Sequence, residues 1–156
     1  MHPIIARLAL ASITLALAAC ALPPPQLTYP EGSLKNSETA VIMRKQGTDG
    51  VIIGVTSVNG NKTSCIAQSC PPWVRVKPGL TKIGVKADIY PSLALTYSAK
   101  DFYLEVEALP RHTYLIEYLI EGSVQKTISA RIVDAGTQYK GGYEIRGQFY
   151  SPTFEP

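Results

Sequence analysis

Alternation of apolar and polar residues with a period of two is the feature that most limits what this chain can fold into. The side chains of a strand point alternately to the two faces of a sheet, whereas an amphipathic helix needs an apolar period of 3.6 residues. Beyond residue 20, no segment keeps the helical period over three turns. The sequence therefore predicts an all-β domain over residues 37–135. Its short, evenly spaced strands favour a small antiparallel β-sandwich of the immunoglobulin/transthyretin-like kind.

The segment Val51–Val58 is rich in β-branched residues and ends at Asn59-Gly60. A type I′ turn needs positive φ at both central positions, so Asn-Gly is the strongest short hairpin signal. We therefore expect residues 62–67 to return antiparallel to this strand. Gly54, inside the strand, indicates a bulge or the close approach of another segment.

Two alternating segments, Trp73–Lys77 and Lys82–Lys86, flank Pro78-Gly79 and predict a second hairpin. In this hairpin the aliphatic residues face the core and the basic residues face water, with Val74, Val76, Ile83 and Val85 inward and Arg75, Lys77, Lys82 and Lys86 outward. Such a basic stripe is ordinarily a solvated sheet face. Its functional interpretation is a contact with lipid phosphates or with an acidic partner.

Four further strands are predicted, and they cover Leu93–Tyr97, Phe102–Ala108, Tyr114–Ile120 and Thr127–Val133. Turns are expected at residues 98–101 and 110–112. Glu105 and Glu107 are expected to point outward together. The second face of the strand that begins at Tyr114 carries Leu115 and Leu119, so another segment should cover it.

The C-terminal tail, residues 136–156, is rich in tyrosine and glycine. One interpretation is a last strand or strap that packs on the domain over Leu115 and Leu119. The other is a partner-binding or sugar-stacking segment that uses Tyr139, Tyr143 and Tyr150. The first interpretation is favoured, and the second stays open.

The chain starts with a short segment ending at Arg7, and an almost wholly apolar run follows from Leu8 to Ala19. A positive start, an apolar stretch and a small-residue site are typical of a secretory signal. Pro23-Pro24-Pro25 ends the run short of the roughly 20 residues that a spanning helix needs. Leu17-Ala18-Ala19-Cys20 resembles the lipobox of bacterial lipoproteins. The alternative is an ordinary cleaved signal, in which Cys20 is incidental.

The lipobox resemblance implies a signal peptide over residues 1–19 and a diacylglyceryl group on Cys20. The lipid bilayer is then a partner of the chain, because several acyl chains make the anchoring stable. Ala21 stands where lipoproteins of diderm bacteria carry Asp for inner-membrane retention, so the resemblance implies a periplasm-facing anchor in the outer membrane. Residues 20–36 contain four prolines. They are expected to form a flexible tether that reaches roughly 50 Å.

Cys65 and Cys70 remain as an even pair once Cys20 is assigned to the anchor. In an oxidising compartment they are expected to form a disulfide with each other. The functional alternative is a redox pair. The spacing of four residues between them differs from the CxxC of thiol oxidoreductases, and no helix follows to depress a thiol pKa. A structural disulfide is therefore the favoured interpretation.

Val76-Lys77-Pro78-Gly79, followed by the alternating Ile83 and Val85, resembles the hairpin of small PEGA-like and carboxypeptidase-regulatory-like β-sandwiches. Tyr114, which begins a strand after a turn, fits the same pattern. This resemblance implies a fold and an envelope location, and it implies no activity.

The search for chemistry centres on His112, the one histidine after Cys20. A hydrolase needs a nucleophile with a base in reach, and a lone turn histidine is ordinarily solvated. Glu105 and Glu107 share one face, whereas glycoside hydrolysis uses two carboxylates on opposite sides of a cleft. No catalytic residue, metal ligand or cofactor is therefore predicted.

The formal charge of +3 is too small to argue for nucleic acid, and export argues against it further. The sequence therefore predicts a non-enzymatic, lipid-anchored interaction or structural module of the bacterial cell envelope that engages an envelope protein. Two alternatives stay open. One is a lipoprotein that binds peptidoglycan or another glycan by stacking Trp73 or tail tyrosines on sugar rings. The other, less favoured, is a small hydrolase that uses His112.

Overall fold

The structure, a computed structural model, describes residues 26–30, 32–45, 51–65, 70–89, 98–121, 127–145 and 148–154. These residues form two main sheets, which confirms the all-β sandwich expected from the alternation. The predicted signal peptide, Cys20 and the predicted strand Leu93–Tyr97 lie outside the described residues.

The described residues contain a short 3₁₀ helix, Asn36–Glu38, and eleven strands. In chain order the strands are β1 Gln26–Leu27, β2 Ala40–Arg44, β3 Val51–Val58, β4 Asn61–Lys62, β5 Trp73–Val76, β6 Gly79–Ile89, β7 Ser98–Ala108, β8 Thr113–Glu121, β9 Thr127–Asp134, β10 Tyr143–Ile145 and β11 Gln148–Tyr150. The first sheet has the order β1-β5-β2-β8-β9, and the second has the order β4-β3-β6-β7. Strands β10 and β11 pair separately.

The chain moves back and forth between the two sheets. It leaves the first sheet after β2, returns for β5, leaves again through β6 and β7, and ends the sandwich with β8 and β9. Because of this path, β2 pairs in parallel with β8, and β1 pairs in parallel with β5. The first sheet is therefore mixed, and the second is antiparallel.

The predicted hairpin around Pro78-Gly79 is wrong. Strand β5 lies in the first sheet and β6 lies in the second, so Lys77 and Pro78 carry the chain from one sheet to the other. Gly79 has a φ of +114°, which a residue with a side chain rarely adopts. A Pro-Gly turn between two alternating segments serves a corner of a sandwich as well as a hairpin, and the sequence pattern does not separate the two.

The predicted turn at residues 98–101 is also wrong. Strand β7 is continuous from Ser98 to Ala108, and its first residues pair with the end of β6, so that Lys100 lies opposite Ala87 and Asp101 opposite Lys86.

The turn at Asn59-Gly60 is confirmed, since φ is +49° at Asn59 and +81° at Gly60 and β3 pairs antiparallel with β4. The return strand is only two residues long, shorter than the predicted 62–67. The register of β3 against β6 shifts between Val55 and Ser57, which is a bulge just after Gly54.

The core lies between the two sheets and contains the inward residues of both. Its fully or nearly fully buried members include Ile42, Val74, Val76 and Ile116 from the first sheet and Ile53, Val55, Ile83 and Val85 from the second. Burying one such side chain contributes about 1.5–3 kcal/mol. The inward positions predicted on either side of Pro78-Gly79 are therefore correct, although the two strands face each other across the core.

Tyr114 joins the first sheet to the end of β7. Its hydroxyl donates a 3.0 Å hydrogen bond to the carbonyl oxygen of Glu107 and accepts a 3.0 Å hydrogen bond from the amide of Leu109. A tyrosine near the start of a strand that bonds backbone a few residues upstream is the arrangement of a tyrosine corner in β-sandwiches. Burial raises the pKa of the Tyr114 hydroxyl, which remains a neutral donor.

Part of the predicted tether belongs to the folded domain. Gln26 and Leu27 form β1 beside β5, the Thr28 hydroxyl donates a 3.0 Å hydrogen bond to the carbonyl of Arg75, and Tyr29 is buried. Residues 26–29 of the predicted tether therefore belong to the folded domain, and five residues, 21–25, stand between Gln26 and Cys20 in the sequence.

Candidate functional site

Arg75 does not face water as predicted. Its side chain is 4% exposed, and it points to the outer face of the first sheet, where the C-terminal tail covers it. The guanidinium donates hydrogen bonds of 2.8 Å to Thr39 Oγ1 and 2.9 Å to the carbonyl of Thr153, and it lies 5.5 Å from the ring centre of Phe154. Burial lowers its pKa, but the group stays a cation at every physiological pH. Arg75 therefore links the C-terminal tail to the first sheet through buried hydrogen bonds.

The tail covers a second apolar cluster on the outer face of the first sheet. The buried members of the cluster are Val41, Met43, Trp73 and Leu115, and Ala135, Tyr139 and Phe154 pack against them. This confirms the strap interpretation of the tail at Leu115. Leu119, which the prediction also placed beneath the strap, is 56% exposed.

The other three residues of the predicted basic stripe lie apart from Arg75. Lys77 is exposed at the corner between the sheets. Lys82 and Lys86 lie on the outer face of the second sheet, where their ammonium groups are 3.2 Å from Glu105 and 3.2 Å from Asp88 respectively. The predicted stripe is therefore wrong as one surface, because the chain changes sheets at Pro78.

Cys65 and Cys70 come together as predicted, with their sulfur atoms 2.14 Å apart. The Cys70 end of this loop lies against the outer face of β3 at Gly54. A Cβ added to Gly54 would stand 2.6 Å from Cys70 Cβ, so the strand needs glycine at this place. The close approach that Gly54 indicated is thereby confirmed.

The three tail tyrosines lie at different places along the tail. Tyr139 packs on the cluster that contains Trp73, and Trp73 itself is 9% exposed. Tyr143 and Tyr150 lie opposite each other in the β10–β11 ladder. Phe149, between them in β11, is 63% exposed. Trp73 is therefore part of the buried cluster, and Tyr139 is partly buried against it.

His112 is paired with Asp134, a contact that the sequence did not suggest. Its Nδ1 lies 2.8 Å from Asp134 Oδ2, and Asp134 Oδ1 accepts a 2.7 Å hydrogen bond from the amide of Gly136. The pair thus fastens the β7–β8 connection to the end of β9, where the tail begins. In the part of the chain that the structure describes, no three His, Cys, Asp or Glu side chains approach one another closely enough to hold a metal ion.

The outer face of the second sheet carries the residue that sequence reasoning missed. Tyr103, on β7, is 86% exposed and lies opposite Gly84 of β6. Asp101, Glu105 and Glu107 share its face of β7, because they differ from it by even numbers of residues. The alternation over Phe102–Ala108 already placed Glu105 and Glu107 outward, and the same parity places Tyr103 outward with them.

Comparison of the chain with protein-family models, with curated proteins and with solved structures found no match. Within the described ranges, no helix has the length and apolar character needed to cross a membrane.

Proposed function

We propose that this chain is a non-enzymatic lipoprotein of the bacterial cell envelope, anchored in the outer membrane through Cys20, whose β-sandwich serves as an interaction or structural module. The observation that supports this best is the disulfide between Cys65 and Cys70. Disulfides persist in exported proteins and are rare in the cytosol. The pair therefore agrees with the secretory signal and the lipobox that precede it.

The position of β1 bears on how such a module would stand at a membrane. Five residues, 21–25, lie between Cys20 and Gln26, the first residue of β1. At about 3.1 Å per residue, this segment spans roughly 20 Å at most, less than half of the reach first expected. A module held this closely meets partners at or near the bilayer surface.

The glycan alternative loses two of its proposed stacking residues. Trp73 is buried in the cluster that the tail covers, and Tyr139 of the tail packs on that cluster. The hydrolase alternative rested on His112, whose Nδ1 faces Asp134. That contact is explained by its place between the β7–β8 connection and the start of the tail. We therefore keep the interaction module as the proposal.

Membrane fractionation of the full chain in a diderm bacterium tests the anchor. The wild-type chain is expected in the outer-membrane fraction after a high-salt wash, and Cys20→Ala is expected to be absent from it. The matched control is the double variant Cys65→Ala/Cys70→Ala, which removes the disulfide and leaves the anchor residue. Outer-membrane recovery of Cys20→Ala equal to that of the wild type would refute the lipid anchor.

A further inference from the structure

In the part of the chain that the structure describes, the edge of the second sheet at β7 has no paired strand beside Tyr103 and Glu105. Among the strands that the structure describes, β7 pairs only with β6. No backbone hydrogen bond from the described loops reaches Tyr103 or Glu105. Near its start, β7 is connected to the first sheet, since the Lys100 ammonium donates a 2.8 Å hydrogen bond to the carbonyl of Ile128 on β9.

Two contacts fix which backbone groups point to this edge. The amide and carbonyl of Lys82 both bond Asn59, on the side of β3, at 2.8 Å each. Lys82 and Glu105, which are opposite each other, are therefore a pair without mutual backbone hydrogen bonds, and Glu105 turns its own amide and carbonyl away from β6. The Glu107 carbonyl, which accepts from Tyr114, points the same way. By the period of two, Tyr103 also presents its amide and carbonyl to the edge.

The side chains beside these open groups carry negative charge. Asp101, Glu105 and Glu107 flank Tyr103 on the outer face of β7, and all four residues are exposed. The Lys82 ammonium offsets Glu105 through an exposed 3.2 Å contact, which is weak in water. Lys86 lies opposite Asp101, and its ammonium is 3.2 Å from Asp88. An added strand would place its alternate side chains next to this row.

A second copy of the chain is a poor occupant of the edge. Antiparallel pairing of two β7 strands about Tyr103 would put Asp101 of each copy opposite Glu105 of the other. Pairing about Glu105 would put the two Glu105 carboxylates opposite each other. Like charges directly opposite are destabilising, and charged edges of this kind prevent self-pairing.

We propose that the open edge of β7, centred on Tyr103 and Glu105, is a docking site for an extended basic segment of another envelope protein, which joins the second sheet as an added strand. Its backbone pairs with Tyr103 and Glu105, and alternate lysine or arginine side chains lie beside Asp101, Glu105 and Glu107. The Tyr103 ring supplies a flat apolar face and attracts a cation placed over it. That the partner is an envelope protein rests on the proposed function. That the docked segment is extended and basic rests only on the edge of β7 and its charges.

The test uses the mature chain purified from membranes in detergent and a blocked ten-residue peptide of alternating lysine and threonine. A peptide of alternating glutamate and threonine is the control. Fluorescence anisotropy at low salt is expected to show binding of the lysine peptide at least tenfold tighter than that of the glutamate peptide. Hydrogen exchange of the Tyr103 and Glu105 amides is expected to slow at least tenfold on binding, because both become bonded to the added strand.

Two variants locate the site. Tyr103→Pro removes an amide that faces the edge and no bond to β6, so peptide binding is expected to fall at least tenfold while the melting temperature changes little. Glu105→Gln is expected to weaken binding about threefold. Its matched control is Glu121→Gln, at the end of β8, which loses the same charge and should bind as the wild type does.

The inference is overturned if the two peptides bind equally, if the Tyr103 and Glu105 amides exchange unchanged in the complex, or if Glu121→Gln weakens binding as much as Glu105→Gln. Binding of a chitin oligosaccharide at Tyr103 in place of the peptide, or concentration-dependent dimers through β7, would also overturn it. The mass of the same purified chain reports on the lipid separately. An unlipidated chain that binds the peptide refutes the anchor and supports the docking site, and a lipidated chain that fails to bind does the reverse.

Discussion

The guanidinium of Arg75 donates a 2.9 Å hydrogen bond to the carbonyl oxygen of Thr153, which follows it by 78 residues in the chain. The same guanidinium bonds Thr39 Oγ1 and lies over the Phe154 ring. One buried cation therefore holds the end of the chain against β5, and the tail functions as part of the fold.

Replacing Arg75 with alanine is expected to lower the free energy of unfolding by roughly 2 to 4 kcal/mol. The change removes hydrogen bonds from a charged donor and leaves the Thr39 hydroxyl and the Thr153 carbonyl without that partner. Urea unfolding followed by Trp73 fluorescence measures the loss, since Trp73 lies in the cluster that the tail covers.

Deletion of residues 151–156 supplies the control for the contacts between Arg75 and the tail. The deletion removes Thr153 and Phe154, so Arg75→Ala should cost less in the shortened chain than in the full one. Equal costs in both backgrounds would mean that Arg75 does not act through the tail.

Gly54→Ala is expected to destabilise the domain by about 1–3 kcal/mol. The new Cβ would stand 2.6 Å from Cys70 Cβ and 3.1 Å from the Cys70 carbonyl oxygen, and neither atom can rotate away. Thermal unfolding under oxidising conditions measures the effect.

Gly84→Ala is the matched comparison for Gly54→Ala. Its Cβ would meet the hydroxyls of Ser57 and Thr56, which are side-chain ends. It should cost less than Gly54→Ala, and Ser57→Ala should relieve much of its cost. A fully stable Gly54→Ala would show that the loop ending at Cys70 does not press on β3.

Tyr114→Phe is expected to cost about 1–2 kcal/mol, because the hydroxyl both donates to Glu107 and accepts from Leu109. Tyr103→Phe removes a hydroxyl from an exposed ring and should change stability by less than about 0.5 kcal/mol. Equal effects of the two changes, measured by urea unfolding, would contradict the corner assigned to Tyr114.

Lowering the pH is expected to reduce the free energy of unfolding of the domain, because Glu117 becomes protonated. Hydrogen bonds from Lys45 and Arg131 hold the pKa of this carboxyl below its ordinary value of 4.5. A carboxyl whose pKa is lower in the folded state contributes stability above its unfolded pKa, and the contribution is lost as pH falls through the folded pKa.

The wild-type chain should therefore lose more stability than Glu117→Gln when the pH is lowered from 7 to about 3. Urea unfolding at the two pH values gives the comparison. Glu121→Gln, an exposed position at the end of the same strand, should follow the wild type. An identical acid response of the wild type and Glu117→Gln would contradict the role of Glu117.

Alternation and turn chemistry predicted most strands and their inward residues, because side-chain direction follows from the period of two and Asn59-Gly60 demands positive φ. They did not predict which strands share a sheet. Trp73–Val76 and Gly79–Ile89 have the same alternation whether they pair or face each other across a core, so the pattern around Pro78-Gly79 predicts a hairpin turn as readily as a corner between sheets.

The outward-facing residues of β5 show a second limit of prediction from the sequence. Arg75 looks solvated in the alternation, yet the C-terminal tail folds over it. Only the meeting of Thr39, Thr153 and Phe154 around the guanidinium makes its burial favourable, and these residues are far apart in sequence. Tyr103, by contrast, was within reach of the pattern, since it shares the parity of Glu105.

The central claim is tested most directly by mass spectrometry of the chain purified from outer membranes without reduction. The account predicts an N-terminal peptide that starts at acylated Cys20, together with a peptide in which Cys65 and Cys70 are linked. A chain that starts elsewhere, or that carries an unmodified Cys20, would contradict the proposal of a lipid-anchored envelope module.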